Sequence, residues 1–419
     1  MNTKLSLAVA AALLAGASSA NAGIIIPAGD WTLDIGGIVN AYYTTTRTSG
    51  DDIALGGGAV NLGGGNANGE TRTNNITTGL LPNYLSVSGK TRQNDLDVGF
   101  TISINPGAST TRSGIQNQAI FGGNQENRQA FLTFGDASWG SIKLGKDLGI
   151  FASDAILNDM TLLGVGSGAG SLAGNTTTLG RIGNGFIYAD WKSQVAYTSP
   201  NWNGFSFTAG VTQSWNALGA TGVGADGIAG TADDVVISAG SADRGGNQPA
   251  FEGKVSYEWA GDVGGKVWAS GISQKVEFGG GLGSDRASAW DLGATINLAG
   301  FGLTGYYYDG SGIGQTLQLN QGFDAAGNDR DSDGWYTQAT YTLPGVGTKL
   351  GLSYGQSKLD ANSGDAITDI KDKMWTVGAY HPVTKHLNLV AEYSDQKHEV
   401  QGSQDGKAKT VSLGAILFF

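Results

Sequence analysis

From Trp31 onward the chain alternates apolar with small or polar residues at every second position, in runs that recur to its end. The cleanest run is the last. Val411, Leu413, Ala415, Leu417 and Phe419 share one parity, while Thr410, Ser412 and Gly414 share the other. A period of two puts each set on its own face of an extended strand. The pattern predicts strands over 31–46, 84–91, 96–104, 128–134, 140–146, 191–198, 205–215, 250–259, 263–276, 286–298, 301–308, 334–342, 348–358, 374–380, 387–395 and 408–419. These sixteen segments are joined by connections that are alternately short and long, and the even number returns both ends of the chain to the short-turn side.

A soluble sandwich also buries one face of each strand, so alternation alone leaves the solvent open. Other features decide it. A single domain of roughly 400 residues exceeds the usual size for one globular core, whereas a barrel grows in circumference and turns its exterior to lipid. The chain also ends on Phe418-Phe419, a poor ending for a soluble protein. The expected fold is all-β: a sixteen-stranded antiparallel transmembrane barrel in an outer membrane. No segment approaches 18 consecutive apolar residues, so no membrane-spanning helix is expected.

Residues 1–22 read differently. Lys4, the apolar stretch from Leu5 to Gly16 and Ala20-Asn21-Ala22 have the form of a cleaved export signal, which places the start of the mature chain at Gly23. The absence of Cys rules out a disulfide scaffold. A net charge of -11 argues against a nucleic-acid partner and for solvated acidic loops.

The connection from Leu148 to Asp190 is the longest with strong strands on both sides. Loops of that length are usually functional. Inside a barrel its lowest-cost place is the lumen, where it would narrow a pore. With Val195 and Tyr197 outward, Lys192, Gln194 and Ala196 point inward, and Lys143 does so if Ile142 and Leu144 face out. With Ala130, Leu132 and Phe134 outward, strict alternation turns Arg128 outward too, unless those residues face the lumen or a bulge intervenes. Arg181 is a further candidate cation near the loop's end.

Four features together resemble the general bacterial porins. They are the terminal strand ending in Phe419, the hairpin from Asn127 to Asp147, the turn Tyr197-Thr-Ser-Pro200-Asn-Trp-Asn-Gly204-Phe205, and the short-turn, long-loop layout of the whole mature chain. Leu144-Gly145-Lys146 stands where that family more often carries Arg. The resemblance implies a homotrimeric, passive diffusion channel for ions and small hydrophilic solutes, set in outer-membrane lipid and lipopolysaccharide. It implies that assembly machinery reads Phe419. It also implies a third loop whose carboxylates face a basic wall. Asp154 and Asp159 match the acidic start of that loop, Arg128 the basic residue opening the fourth strand, and Lys192 lies near where a further wall cation is expected after the loop. The family's second loop carboxylate is replaced by Leu162-Leu163-Gly164-Val165-Gly166, and Tyr84 falls where a wall Arg is expected, so a weaker charge contrast is implied. Two rival readings stay open: a channel selective for sugars, phosphate or organic acids, and a non-conducting surface adhesin.

Enzyme and metal chemistry find less support. His381, His386 and His398 stand opposite no obvious nucleophile, so no enzyme is expected. Gly164-Val-Gly166-Ser-Gly168 lacks the Lys-Ser/Thr of a phosphate loop. No cofactor is expected, with one candidate exception. Asp329, Asp331 and Asp333 followed by Gly334 have the spacing of a Ca²⁺ loop, although Thr340 takes the place of the closing Glu. Solvated acidic loop tips are the alternative.

Overall fold

The computed structural model describes residues 23–50, 54–55, 60–61, 71–108, 125–167, 177–222, 234–241, 247–402 and 405–419. The export signal expected over 1–22 lies outside the described residues. The main sheet holds 19 strands. Three are short accessory pieces: Ile24–Ala28, Arg72–Thr77 and Gln125–Glu126. The other sixteen close a barrel. They are β1 Trp31–Ser49, β2 Tyr84–Gln93, β3 Leu96–Pro106, β4 Ala130–Asp136, β5 Gly140–Leu148, β6 Trp191–Thr198, β7 Phe205–Thr212 and β8 Ala250–Trp259. The second half comprises β9 Val263–Glu277, β10 Ser284–Leu298, β11 Phe301–Ser311, β12 Asp331–Thr342, β13 Lys349–Leu359, β14 Ile370–Pro382, β15 Leu387–Val400 and β16 Gly406–Phe418. Every neighbour is antiparallel, and β16 pairs with β1 from Ile38↔Phe418 to Ser49↔Lys407.

Closure leaves no sheet edge, which is what hydrocarbon demands of a spanning β structure. The accessory strands complete it at the seam. β1 is longer than its neighbours, with 19 residues. Its lower part pairs with Ile24–Ala28 on the β16 side and with β2 on the other, while Arg72–Thr77 takes over above β2. The C-terminal residue joins the same seam: Gly37 N–H donates to Phe419 O at 2.8 Å and Phe419 N–H to Gly37 O at 3.0 Å.

The two faces divide as the alternation predicts. Leu132, Val195, Leu292, Leu303, Leu352 and Leu413 are exposed on the outside. In water such a continuous apolar belt would aggregate; lipid satisfies it. Aromatic pairs edge the belt on both sides. Trp290–Tyr307, Trp335–Tyr354 and Trp375–Tyr393 lie towards the long loops, with ring centroids 5.1–5.6 Å apart. Phe301–Tyr341 and Tyr257–Trp259 lie towards the short turns. Such girdles sit where lipid meets water, because the rings are apolar with one polar tip.

Strand ends on the loop side are where sequence and structure part. β12, β14 and β15 run several residues beyond the alternating segments, because above the lipid the ladder continues without an apolar face. Two expectations change with this. Residues 128–129 precede β4 instead of opening it. Asp331 and Asp333 lie within β12, facing Ser311 and Asp309 across the ladder, so they form no Ca²⁺ loop. Extended backbone keeps alternate residues more than 6 Å apart, whereas a Ca²⁺ loop must curl its ligands inward. Asp329 instead accepts a hydrogen bond from Ser311 Oγ. Among the described residues, no three His, Asp or Glu are placed to hold a metal ion together.

Candidate functional site

The loop after β5 leaves the wall at Leu148 and returns at Trp191, and its described parts, 149–167 and 177–190, run inside the barrel. It is built from a helix, Ser153–Leu157, and a 3-10 turn, Met160–Leu163. Phe151, Ala155, Ile182, Phe186 and Ile187 pack as one cluster with Trp268, Tyr306, Tyr308 and Tyr336 of the wall. Phe186 lies 5.7 Å from the Tyr336 ring and 6.4 Å from Tyr306. This aromatic seat fixes the loop to the β9–β12 side.

Two buried glutamates hold the loop's backbone from opposite parts of the wall. Glu252 of β8 accepts from Ile150 N–H and Phe151 N–H, both at 2.8 Å, through one carboxylate oxygen. Its other oxygen accepts from Lys192 Nζ at 2.7 Å and Thr212 Oγ1 at 2.8 Å. Glu392 of β15 does the same at the far end, accepting from Val165 N–H at 2.7 Å and Gly166 N–H at 2.9 Å, with Tyr380 OH on its other oxygen at 2.7 Å. Hydrogen bonds to a charged acceptor contribute about 1.5–3 kcal/mol each. Gly166 has φ +62 and its missing Cβ would lie 2.5 Å from Gly180, so only glycine allows this approach. The Gly164-Val-Gly166 stretch is therefore a cradle of backbone amides for the protein's own carboxylate. Between the two ends, Tyr336 OH donates to Ala155 O at 2.8 Å, Gln338 accepts from Met160 N–H at 2.9 Å, and Tyr42 OH donates to Leu163 O at 2.6 Å.

The structure separates the sequence-predicted charges into exposed and covered groups. Asp154, 3% exposed, pairs with Lys254 at 2.8 Å and with Lys266. Burial alone would raise its pKa, but the two ammonium groups bring it down to about 2. Lys143 pairs with Asp147 and lies 4.9 Å from the Phe131 ring centroid. In both clusters the lysine side chains are 22–27% exposed and the carboxylates 1–3%.

The remaining predicted residues are turned away from open space. Asp159 caps the 3-10 turn, accepting from Thr161 N–H at 2.9 Å and Thr161 Oγ1 at 2.6 Å. It faces Arg181, which is fully buried and donates to Met374 O at 2.9 Å. Burial pushes the Asp159 carboxyl up and the Arg181 guanidinium down, each opposed by the other's charge. Lys192 is inward, but its side chain is 0% exposed against Glu252. Arg128 lies over the Trp191 ring at 5.7 Å and pairs with Glu126 at 2.8 Å. These four therefore serve packing around the loop. Lys254, Lys266, Glu252 and Glu392 were not singled out from the sequence, although each is a charged residue at an inward position of a strand.

Opposite the loop, the wall carries a run of hydroxyls, with Lys90 and Asp34 on the same face. Ladder partners share a face, so Ser86 and Ser103, Ser88 and Thr101, and Thr133 beside Lys143 all point inward. Ser88 and Thr101 hydroxyls lie 3.0 Å apart. Tyr84, at the position where a wall Arg was expected, is also on this face.

A closed sixteen-stranded barrel with a lipid belt, a polar inner wall and an infolded loop defines a transmembrane diffusion channel. The chain belongs to the Gram-negative porin family, whose sequence profile matches residues 7–401. It is therefore an outer-membrane β-barrel protein and a diffusion channel. Comparison with curated protein sequences gives no match. Among solved structures, the chain is similar to an anion-selective porin from Comamonas acidovorans (17% identity, TM-score 0.58, covering 93% of this chain and 100% of that one). It is also similar to the outer-membrane channel DcaP of Acinetobacter baumannii (16%, TM-score 0.63, 94% and 99%) and to Salmonella typhi OmpF in complex with daunomycin (16%, TM-score 0.54, 93% and 100%). At these identities the likeness is one of fold.

Proposed function

We propose that this porin passes small hydrophilic solutes with a mild preference for anions. The observation that carries this reading is the exposure difference at the constriction. Lys143, Lys254 and Lys266 reach open space while Asp147 and Asp154 lie beneath them. Three ammonium groups against two carboxylates leave these clusters one net positive charge, and rings of fixed charge bias which ion enters a pore. The wall opposite adds hydroxyls, with a cation, Lys90, and a carboxylate, Asp34, that balance each other. Passage requires no chemical step, and no catalytic role is proposed.

The reversal potential in a potassium chloride gradient tests the reading. The wild type is expected to favour chloride, and Lys254→Glu or Lys266→Glu to move the potential towards the cation. A cation-selective wild type would sink the anion preference, and a bilayer without conductance steps would favour the adhesin reading instead.

The assembly and its lipid surroundings belong to the same proposal. A homotrimer is supported by the family and by Vibrio cholerae OmpT, similar in fold (15% identity, TM-score 0.51), which has been solved in a trimer form. Lys358, Lys371, Lys373 and Lys397 lie on the outward parity above the Trp375–Tyr393 pair, interleaved with Asp360, Glu399 and Asp405, a mixed-charge band at the level of lipopolysaccharide headgroups. Phe419, tied to Gly37, remains the proposed signal for the assembly machinery.

A further inference from the structure

The connection between β11 and β12 also folds into the barrel, which its Gly- and Asn-rich sequence does not announce. Ile313, Gln315, Thr316, Leu319 and Phe323 are all buried at 0–1% exposure. Leu319 and Phe323 pack with Val276, Phe278 and Ala287, and the Phe278 and Phe323 rings lie 5.0 Å apart, edge to face. The loop's base is clamped by Arg330, which is fully buried. Its guanidinium pairs with Asp365 at 2.6 and 2.7 Å, and donates to Gln321 O at 2.9 Å and Ile237 O at 2.7 Å. Leu319 (φ 65) and Gln321 (φ 52) both hold left-handed backbone, a conformation that persists only where surrounding contacts impose it.

The tip of this loop is tethered in two directions. Gln318 Nε2 donates to Tyr188 O at 3.0 Å and Ala189 O at 3.2 Å, while its Oε1 accepts from Lys192 of β6 at 2.6 Å. Three residues earlier, Gln315 Nε2 donates to Ser357 O and to Asp372 of β14, both at 2.9 Å. Tyr188 N–H donates to Thr316 O at 3.0 Å between them. β6 and β14 stand eight strands apart in a sixteen-stranded barrel, on opposite sides of it. One short, uncharged segment thus reaches from wall to wall across the top of the third loop.

We propose that residues 312–330 form a second constriction element, a crossbar seated on the third loop, and that Gln315 and Gln318 are its positioning residues. Its tip carries amides and apolar groups without formal charge, so it limits solutes by size, whereas the lysine cluster acts on charge. The inference rests on the channel reading above and deepens it.

The test uses the full-length protein in planar bilayers, with three readouts: conductance, the largest polyethylene glycol that enters the pore, and reversal potential. One variant replaces residues 313–323 with a short Gly-Ser linker; a second, Gln315→Ala/Gln318→Ala, keeps the loop's length and removes both tethers. The linker variant is expected to raise conductance at least about 1.5-fold and admit larger polymers, with the reversal potential unchanged, since the wider path leaves the fixed charges in place. The double variant is expected to add open-channel noise and admit larger polymers part of the time. An unchanged polymer limit in a folded linker variant overturns the proposal. If that variant does not fold, an unchanged limit and noise level in the double variant overturns it. A wild type that conducts separates either failure from a failure of the channel reading.

Discussion

Replacing Glu252 by Gln should unlatch the third loop near its start, at Ile150 and Phe151, without unfolding the barrel. Four donors converge on this carboxylate: Ile150 N–H, Phe151 N–H, Thr212 Oγ1 and the Lys192 ammonium. A glutamine keeps the shape but offers one acceptor oxygen, and its amide nitrogen meets donors with another donor. The Lys192 side chain, 0% exposed, also loses its counter-ion. Removing one partner of a buried ion pair costs about 3–5 kcal/mol. The ladders on either side of Glu252 stay intact, since β8 is paired through backbone groups with β7 and β9. The penalty therefore falls on the loop's attachment. At about 1.4 kcal/mol per tenfold, the seated-to-detached ratio should fall by at least about a hundredfold. Single-channel recording should show frequent closures in Glu252→Gln, and proteases should cleave between 148 and 190 faster. The double variant Lys192→Met/Glu252→Gln removes the stranded charge and should recover part of the loss. A Glu252→Gln channel as quiet and protease-resistant as the wild type would refute the latch. A double variant no better than the single one would refute the coupling to Lys192.

Other consequences follow from the same geometry. Glu392→Gln should loosen the far end of the loop through Val165 and Gly166, again read as channel noise, and Gly166→Val should do so more strongly because its φ of +62 excludes a β-branched residue. Asp159→Asn should leave the reversal potential where it is while making the loop more protease-sensitive, because the carboxylate is spent on Thr161 and Arg181; a clear shift towards anions would return it to the channel lining. Asp154 has a folded pKa of about 2, below the unfolded value of about 3.9, so its contribution of about 2 kcal/mol is complete above about pH 4 and disappears as pH falls through 2. Carboxylates that burial pushes up, Asp159 among them, titrate before it, so the Asp154 step is read from Lys254→Met/Lys266→Met: without the two ammonium groups, burial should move part of the acid-induced flicker to higher pH, and an unmoved onset would place the sensitive group elsewhere.

Strands were legible in the sequence because lipid imposes one rule at every second position. Val411 to Phe419 obey it and so do Trp191 to Thr198, whose observed limits match the expected ones. The rule stops above the girdle, which is why β14 and β15 run past the apolar segments and why Asp331 and Asp333 read as a loop. Inside the barrel the sequence carries a weaker signal. Inward positions accept hydroxyls, glycines, aromatics and charges alike, so Glu252 and Glu392 look like any lumen residue until the loop backbone is set against them. The inward turn of residues 312–330 left even less trace, since Ile313, Leu319 and Phe323 are too widely spaced to suggest burial. Polarity of a loop records what it can tolerate, and the amides of Gln315 and Gln318 are as much at home in water as against a wall.

Charge at the constriction shows why few ions should be refused. Most charged side chains there are consumed in holding the loop: Lys192 by Glu252, Arg181 by Asp159, Asp154 by two lysines at once. What the exposed lysine clusters leave over is close to one positive charge. At about 5 Å from a passing ion in water this amounts to about 0.8 kcal/mol, reduced to about 0.5 kcal/mol by screening at 0.1 M salt. The energy is gained by an anion and lost by a cation, so the ratio between them is about fivefold, and at 1 M it falls below about twofold. A pore built for strict discrimination would leave its carboxylates or its guanidinium groups facing the path. Here the architecture covers them, and the discrimination that remains steep is against solutes too large to clear the loop and the crossbar seated on it.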